Sequence, residues 1–202
     1  MKIDLSKTSH ILFFIVFLPA LSFGAGWEFA NIFGGLPFWV EGISPLGTYA
    51  LLYAFFERAA WHWPVFRALG IVNVPDLRGR WEGEQLSSYK SSNGKPVQSR
   101  MILEVVQTFS SVSTTTYYYR WNDAHSASCF LEIEGDLFLA IIFESEPNAR
   151  HDGAGTANKG VARLKYLEGE KLIVGTYFNT SGNHGEIKLH RSGRRLLQRF
   201  AA

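Results

Sequence analysis

The chain has 202 residues, which fits one moderate domain with a short appendage. Its formal net charge of +2 excludes a surface that recruits a DNA or RNA polymer by charge alone, and the lone cysteine, Cys129, excludes an internal disulfide. Aromatic residues make up 15% of the chain and many of them lie in its first third, so the N-terminal part needs its own interpretation.

The first third contains two long apolar segments. Thr8 to Trp27 carry no Asp, Glu, Lys or Arg, and a helix of that length reaches about 30 Å, the thickness of the hydrocarbon layer. A second helix is predicted from Ser44, as its N-cap, to about Trp63, just before Pro64. Residues 1–70 are therefore predicted to form an anchor of two transmembrane helices.

The charges around these segments predict their orientation. Basic residues lie at the outer ends of both spans and acidic residues lie in the connection: Lys2, Lys7, Arg58 and Arg67 outside, Glu28 and Glu41 between. Because positively charged flanks stay in the cytoplasm, both termini and the downstream domain are predicted to be cytoplasmic.

Two alternatives remain for the N-terminus. The run from Ile11 to Phe23, followed by Gly24 and Ala25, also resembles a secretory signal. A buried helical hairpin of a soluble protein is the other alternative, although neither segment shows the polar stripe that such a helix keeps.

The stretch from Pro75 to Gly83 separates the apolar part from a region with strand-like alternation of polar and apolar residues. Its Trp81 is a large side chain suited to fill one end of a small barrel. Eight strands are predicted downstream: Arg80–Tyr89, Val97–Phe109, Val112–Asn122, Ser126–Glu134, Leu137–Glu144, Lys159–Leu167, Lys171–Asn179 and Gly185–Arg191.

Short turns between these strands predict the topology. Glu134-Gly135-Asp136 and Glu168-Gly169-Glu170 are typical of tight hairpins. An all-β, eight-stranded up-and-down antiparallel barrel is predicted for residues 71–192, because closure removes the sheet edges. A two-sheet sandwich is the alternative. Residues 193–202 are predicted to be a basic, frayed C-terminal tail.

A barrel of eight strands has room for one small ligand, and polar and aromatic residues on its strands are the candidates. Stacking aromatic rings beside a guanidinium would suit a planar base joined to a phosphate. The candidate ligand-binding residues are Tyr117, Tyr119, Trp121, Arg163, Thr176, Tyr177 and Asn179. The alternative for each is an ordinary strand residue, with Arg163 facing solvent.

The sequence shows few features that are typical of an enzyme. Cys129 has no neighbouring feature that would activate its thiol, and the histidines show no metal-ligand spacing. There is no nucleophile elbow, no Walker loop and no GxGxxG. We therefore expect no enzyme activity, no cofactor and no metal site.

Three segments together resemble a known family. Two spans followed by Asp76–Gly83, Leu172–Asn179 and Gly185–Arg191 resemble the two-transmembrane, β-strand-rich effectors of bacterial CBASS antiphage signalling, the CD-NTase-associated protein 15 family. The resemblance implies a cytoplasmic barrel on the bacterial inner membrane that binds a cyclic dinucleotide made by a partner CD-NTase. It also implies homo-oligomers whose spans disrupt the membrane lipid and kill the cell.

The second hypothesis assigns the chain to a different class of protein. If the residues before about Trp27 are removed as a signal, the remainder would be an exported lipocalin-like carrier of a small apolar ligand. The sequence of the mature N-terminus distinguishes the two hypotheses.

Overall fold

The computed structural model describes residues 8–32, 45–91, 93–118, 124–133, 136–145 and 158–198. The described residues form two compact units. The helical unit contains those up to Asn73 together with Thr108–Ser110, and the barrel unit contains Val74–Gln107 and those from Ser111 onward.

The helical unit is built from apolar segments with two π-helical turns. Its elements are α1 (Thr8–His10), a π-helical segment (Ile11–Phe17), α2 (Leu18–Ile32), α3 (Pro45–Phe55), a second π-helical segment (Phe56–Ala60) and α4 (Pro64–Ala68). The helix continues through Pro19, which cannot donate a backbone hydrogen bond. The Ser22 hydroxyl donates to the Pro19 carbonyl at 2.8 Å, so a side chain there takes part in the local bonding.

One helix among the described residues, Ile11–Glu28, is long and apolar enough to cross a membrane. A signal sequence or a buried core helix meets the same criterion. The second predicted span, α3 with the π-helical segment that follows it, runs only from Pro45 to Ala60 and does not meet it. The structure is thus compatible with the first predicted span and does not confirm the second.

Aromatic rings fill the centre of the helical unit. Phe109 lies 5.6 Å from Phe14 and 5.0 Å from Phe56, measured between ring centroids. Oε1 of Glu57 accepts hydrogen bonds from the Thr108 hydroxyl at 2.5 Å and from the Ser110 backbone N–H at 3.0 Å. The glutamate therefore binds a polar segment of its own unit.

The barrel unit is a closed, antiparallel, up-and-down barrel in which each strand pairs with its neighbours in the chain and β1 pairs with β8. This confirms the predicted barrel and its eight strands over the described residues, and the sandwich alternative was wrong. The ends of two predicted strands, 119–122 and 134, lie outside the described residues. The strands are β1 (Gly79–Lys90), β2 (Pro96–Gln107), β3 (Val112–Tyr118), β4 (Ala124–Ile133), β5 (Asp136–Ser145), β6 (Asn158–Leu167), β7 (Leu172–Asn179) and β8 (His184–Gly193).

One end of the barrel is filled around Trp81. Its ring is fully buried, its Nε1–H donates to the Leu77 carbonyl at 2.8 Å, and Tyr166 packs edge-on against it at 5.7 Å. The Gln107 amide joins the segment before β1, because its Oε1 accepts from Leu77 N–H and its Nε2 donates to the Pro75 carbonyl. The predicted role of Trp81 at a barrel end is confirmed.

The segment after β8 is more ordered than the frayed tail that we expected. The backbone N–H groups of Leu197 and Gln198 donate to the Glu104 carboxylate on the outer face of β2. Glu104 also pairs with Arg80 at 2.9 Å, and both of these side chains are buried. A buried ion pair needs further hydrogen bonds to satisfy its oxygens, and the backbone of the segment supplies them. Arg199 to Ala202 lie outside the described residues.

Candidate functional site

The half of the barrel interior away from Trp81 has a polar and aromatic lining. Alternation along the paired strands places seven side chains there, on the same face as the core residues: Gln85, Ser99, Tyr118, Ser126, Phe143, Tyr177 and Asn179. We call this set the open-end cluster. Six of its members are half-buried, whereas Trp81 and the neighbouring Leu103 and Leu189 are fully buried, so this half of the interior is the more exposed to solvent.

Two atoms of the open-end cluster are buried without a hydrogen bond. Gln85 Oε1 and Ser126 Oγ have no partner within the described structure. Buried polar atoms in native proteins are almost always bonded, and leaving one without a partner costs about 1–3 kcal/mol. The arrangement therefore offers hydrogen-bonding groups to a molecule that enters the barrel.

Three aromatic rings stand beside these polar atoms. Tyr118 and Phe143 are half-buried and pack on the hydrophobic core, and Tyr177 is buried within it. Burial raises the pKa of the Tyr118 hydroxyl, and the neighbouring Tyr177 raises it further. The Tyr118 hydroxyl stays protonated at neutral pH and is available as a hydrogen-bond donor.

The open-end cluster contains neither Lys nor Arg. Arg163, predicted to supply a guanidinium to the ligand, lies on the outer face of β6, where its guanidinium is 5.1 Å from the centre of the Phe138 ring. The cluster therefore presents neutral hydroxyl and amide groups and aromatic faces.

The structure separates the predicted site residues into two faces. Tyr177 and Asn179 point into the barrel, while Thr176, Arg163 and Tyr117 belong to its outer face. These five residues therefore do not surround one cavity, because neighbours such as Thr176 and Tyr177 must point in opposite directions along a strand. Which of them contact a ligand stays a prediction. Tyr119 and Trp121 lie outside the described residues.

Sequence reasoning missed five members of the open-end cluster: Gln85, Ser99, Tyr118, Ser126 and Phe143. Gln85 could have been found from Trp81, which marks the inward face of β1. The two residues are separated by an even number of positions, so their side chains point to the same face of the strand. Phe143 has the same relation to Leu139 and Ile141 on β5. For Ser126 the sequence alone offers no such reference residue. Its inward orientation is known only because the structure pairs it with Phe143.

A second concave feature lies on the outer face. A groove of about 430 Å³ crosses β1, β7 and β8, and we call it the outer groove. Its lining residues are Glu84, Leu86, Gln98, Val174, Gly175, Thr176, Glu186, Ile187 and Lys188. Within the part of the chain that the structure describes, no group of three or more His, Cys, Asp or Glu side chains is placed to hold a metal ion.

Comparison with protein-family models supplies the deciding observation. The model for the Cap15 cyclic dinucleotide receptor domain matches residues 72–191, more than half of the chain. The chain belongs to the Cap15 family. The Cap15 match covers β1 to β7 and β8 as far as Arg191, so both the open-end cluster and the outer groove lie within the receptor domain. A search of curated proteins found no match.

Proposed function

We propose that the chain is a membrane-anchored receptor that binds a cyclic dinucleotide in the open-end cluster and does not act as an enzyme. The observation that carries this proposal is the pair of buried atoms without partners, Gln85 Oε1 and Ser126 Oγ, inside a Cap15 receptor domain. A ligand that bonds to them gains free energy by giving both buried atoms a hydrogen-bond partner.

The chemistry of the open-end cluster suits a nucleotide base. Aromatic faces such as Phe143 and Tyr118 stack on any base, and stacking contributes about 1–3 kcal/mol per base. The amide of Gln85 presents a donor and an acceptor side by side, which matches the edge of a base. Oδ1 of Asn179 already accepts from the Ser181 and Asn183 backbone N–H groups, so Asn179 offers its amide N–H group. The protonated Tyr118 hydroxyl can donate to a base or to a phosphate oxygen.

The action on the membrane is the second part of the proposal. The helix at Ile11–Glu28 anchors the chain in the bacterial inner membrane, the following helix completes a two-span anchor, and both termini and the barrel are cytoplasmic. Binding favours a self-associated state, and the gathered helices disrupt the lipid bilayer and kill the cell. The ligand must bind the associated state more tightly, since equal affinity would shift nothing.

The proposal places the chain downstream of a CD-NTase, the enzyme class that would make the ligand. Anchoring many copies in one bilayer raises their effective concentration, so a modest preference of the ligand for the associated state is enough to assemble them. This arrangement needs neither a cofactor nor a catalytic residue.

Thermal unfolding of the full chain in detergent tests the binding step. The probes are cyclic dinucleotides with every pairing of adenine, guanine, cytosine and uracil. A member that binds should stabilise the fold by about 2.7 kcal/mol at one hundred times its Kd. This corresponds to a rise in Tm of about 5–10 °C. If no member of the panel moves the Tm, the receptor assignment is wrong.

A further inference from the structure

An apolar row crosses the outer face of the barrel. Ile142, Val161 and Phe178 lie side by side on β5, β6 and β7, because Ile142 pairs with Val161 and Val161 pairs with Phe178. Ile142 is 63% exposed and Phe178 is 61% exposed. We call these three residues the apolar ridge. Large apolar side chains gathered on a strand surface are typical of a binding surface.

Charged residues flank the apolar ridge. Lys159 and Glu144 form an exposed ion pair beside it toward one end of the barrel, and Arg163 is exposed beside it toward the other end. The flanks of the ridge therefore carry two cations and one anion.

The outer groove has the opposite balance of charge. Its rim carries two exposed carboxylates, Glu84 and Glu186, and one exposed cation, Lys188. Leu86, 47% exposed, and Val174 supply its apolar wall. The groove thus complements the ridge in sign and in apolar character.

We infer that the apolar ridge of one copy of this chain docks in the outer groove of a second copy. Phe178 and Ile142 would pack on Leu86 and Val174, while Lys159 and Arg163 of one copy face Glu84 and Glu186 of the next. An aromatic residue buried at the centre of an interface usually carries much of the binding free energy.

The two surfaces meet at β7 but consist of different residues, so the contact is heterologous and each bound copy still presents a surface for another. Such a contact builds a ring or an open chain of copies. The inference rests on the proposed self-association and specifies its geometry: a head-to-tail array of barrels.

Charge reversal in the full chain tests this geometry. The ridge variant carries Lys159→Glu and Arg163→Glu, and the groove variant carries Glu84→Lys and Glu186→Lys. The control variant, Lys95→Glu with Lys171→Glu, reverses two exposed cations outside both surfaces. Copies fused to donor or acceptor fluorophores are placed in the same lipid vesicles. Energy transfer is measured with and without each cyclic dinucleotide of the panel.

We expect wild-type and control chains to associate, and each reversed variant alone to associate about tenfold or more weakly, because like charges then meet across the contact. A mixture of ridge and groove variants should recover wild-type energy transfer, since every ridge then meets a groove of opposite charge. A chain carrying all four substitutions should recover it too.

Three results would overturn the inference: no association of wild-type chains under any condition, undiminished association of either reversed variant alone, or no recovery in the mixture. A ridge-to-ridge contact would leave the groove variant unaffected, so it gives the second result. The ligand-induced Tm shift is measured on the same variants. If it persists while the association pattern fails, ligand binding stands and only the docking geometry is wrong.

Discussion

At the scale of single residues, two glutamines of the barrel show how the same side chain serves stability or binding. The Gln107 amide is bonded at both ends, to Leu77 N–H and to the Pro75 carbonyl. Gln85 Oε1 is buried without a partner. A protein that keeps an unsatisfied buried amide gives up stability, and functional sites are where such a loss is tolerated.

Replacing Gln85 by Met tests this contrast. The substitution removes the unsatisfied oxygen and keeps the side-chain length, so we expect a higher Tm together with loss of the cyclic dinucleotide-induced shift. Gln107→Met is the matched control. It leaves the buried Leu77 N–H and the half-buried Pro75 carbonyl without this partner and should lower the free energy of unfolding by about 1–3 kcal/mol. A Gln85→Met chain that unfolds more readily and still responds to ligand would contradict the assignment.

Prediction from the sequence was least accurate for the orientation of single residues. The sequence left Arg163 open between a ligand contact and the solvent side, and it grouped Thr176 with Tyr177 although the two alternate along β7. In the structure Arg163 and Thr176 lie on the outer face. Polarity alone does not tell which face of a strand is inside. A fully buried neighbour such as Leu164, next to Arg163, fixes the face only once the pairing is known.

At the scale of elements, turn chemistry and alternation were sufficient to predict all eight strands. The β6–β7 hairpin shows why: Glu168–Glu170 form one 3₁₀ turn, and Lys171 adopts the left-handed conformation that ends it. The second predicted span was harder, because apolar composition indicates burial in lipid or protein without fixing where the helix begins.

Closure of the barrel between β1 and β8 depends on a close backbone approach at Gly83. A Cβ there would lie 2.0 Å from the Lys188 carbonyl oxygen, far inside van der Waals contact. We expect Gly83→Ala to separate this pair of strands and to lower the Tm strongly in a thermal melt. Gly169→Ala, whose Cβ would meet no atom within 4 Å, should melt like the wild type. Equal Tm values for the two variants would show that β1 and β8 can move apart at Gly83 without loss of stability.

At the scale of the whole molecule, the account requires that ligand binding and membrane damage can be separated by mutation. Leu21 lies in the predicted span and is 47% exposed within the helical unit. A carboxylate at the centre of a span costs about 2.5–3.5 kcal/mol in insertion.

We therefore expect Leu21→Asp to keep the ligand-induced Tm shift and to lose ligand-dependent dye release from vesicles that contain the chain. Leu21→Val is the conservative control and should retain both properties. Dye release by Leu21→Asp at the wild-type rate would show that this helix does not disrupt the bilayer.

The most direct test is photo-crosslinking of the full chain to a cyclic dinucleotide that carries photoreactive bases, with the modified residues located by mass spectrometry. Binding inside the barrel should give adducts on inward-facing members of the open-end cluster, chiefly Tyr118, Phe143 and Tyr177, and those adducts should be lost when unlabelled ligand competes. Competed adducts confined to outer-face residues such as Leu86 or Thr176 would contradict binding inside the barrel.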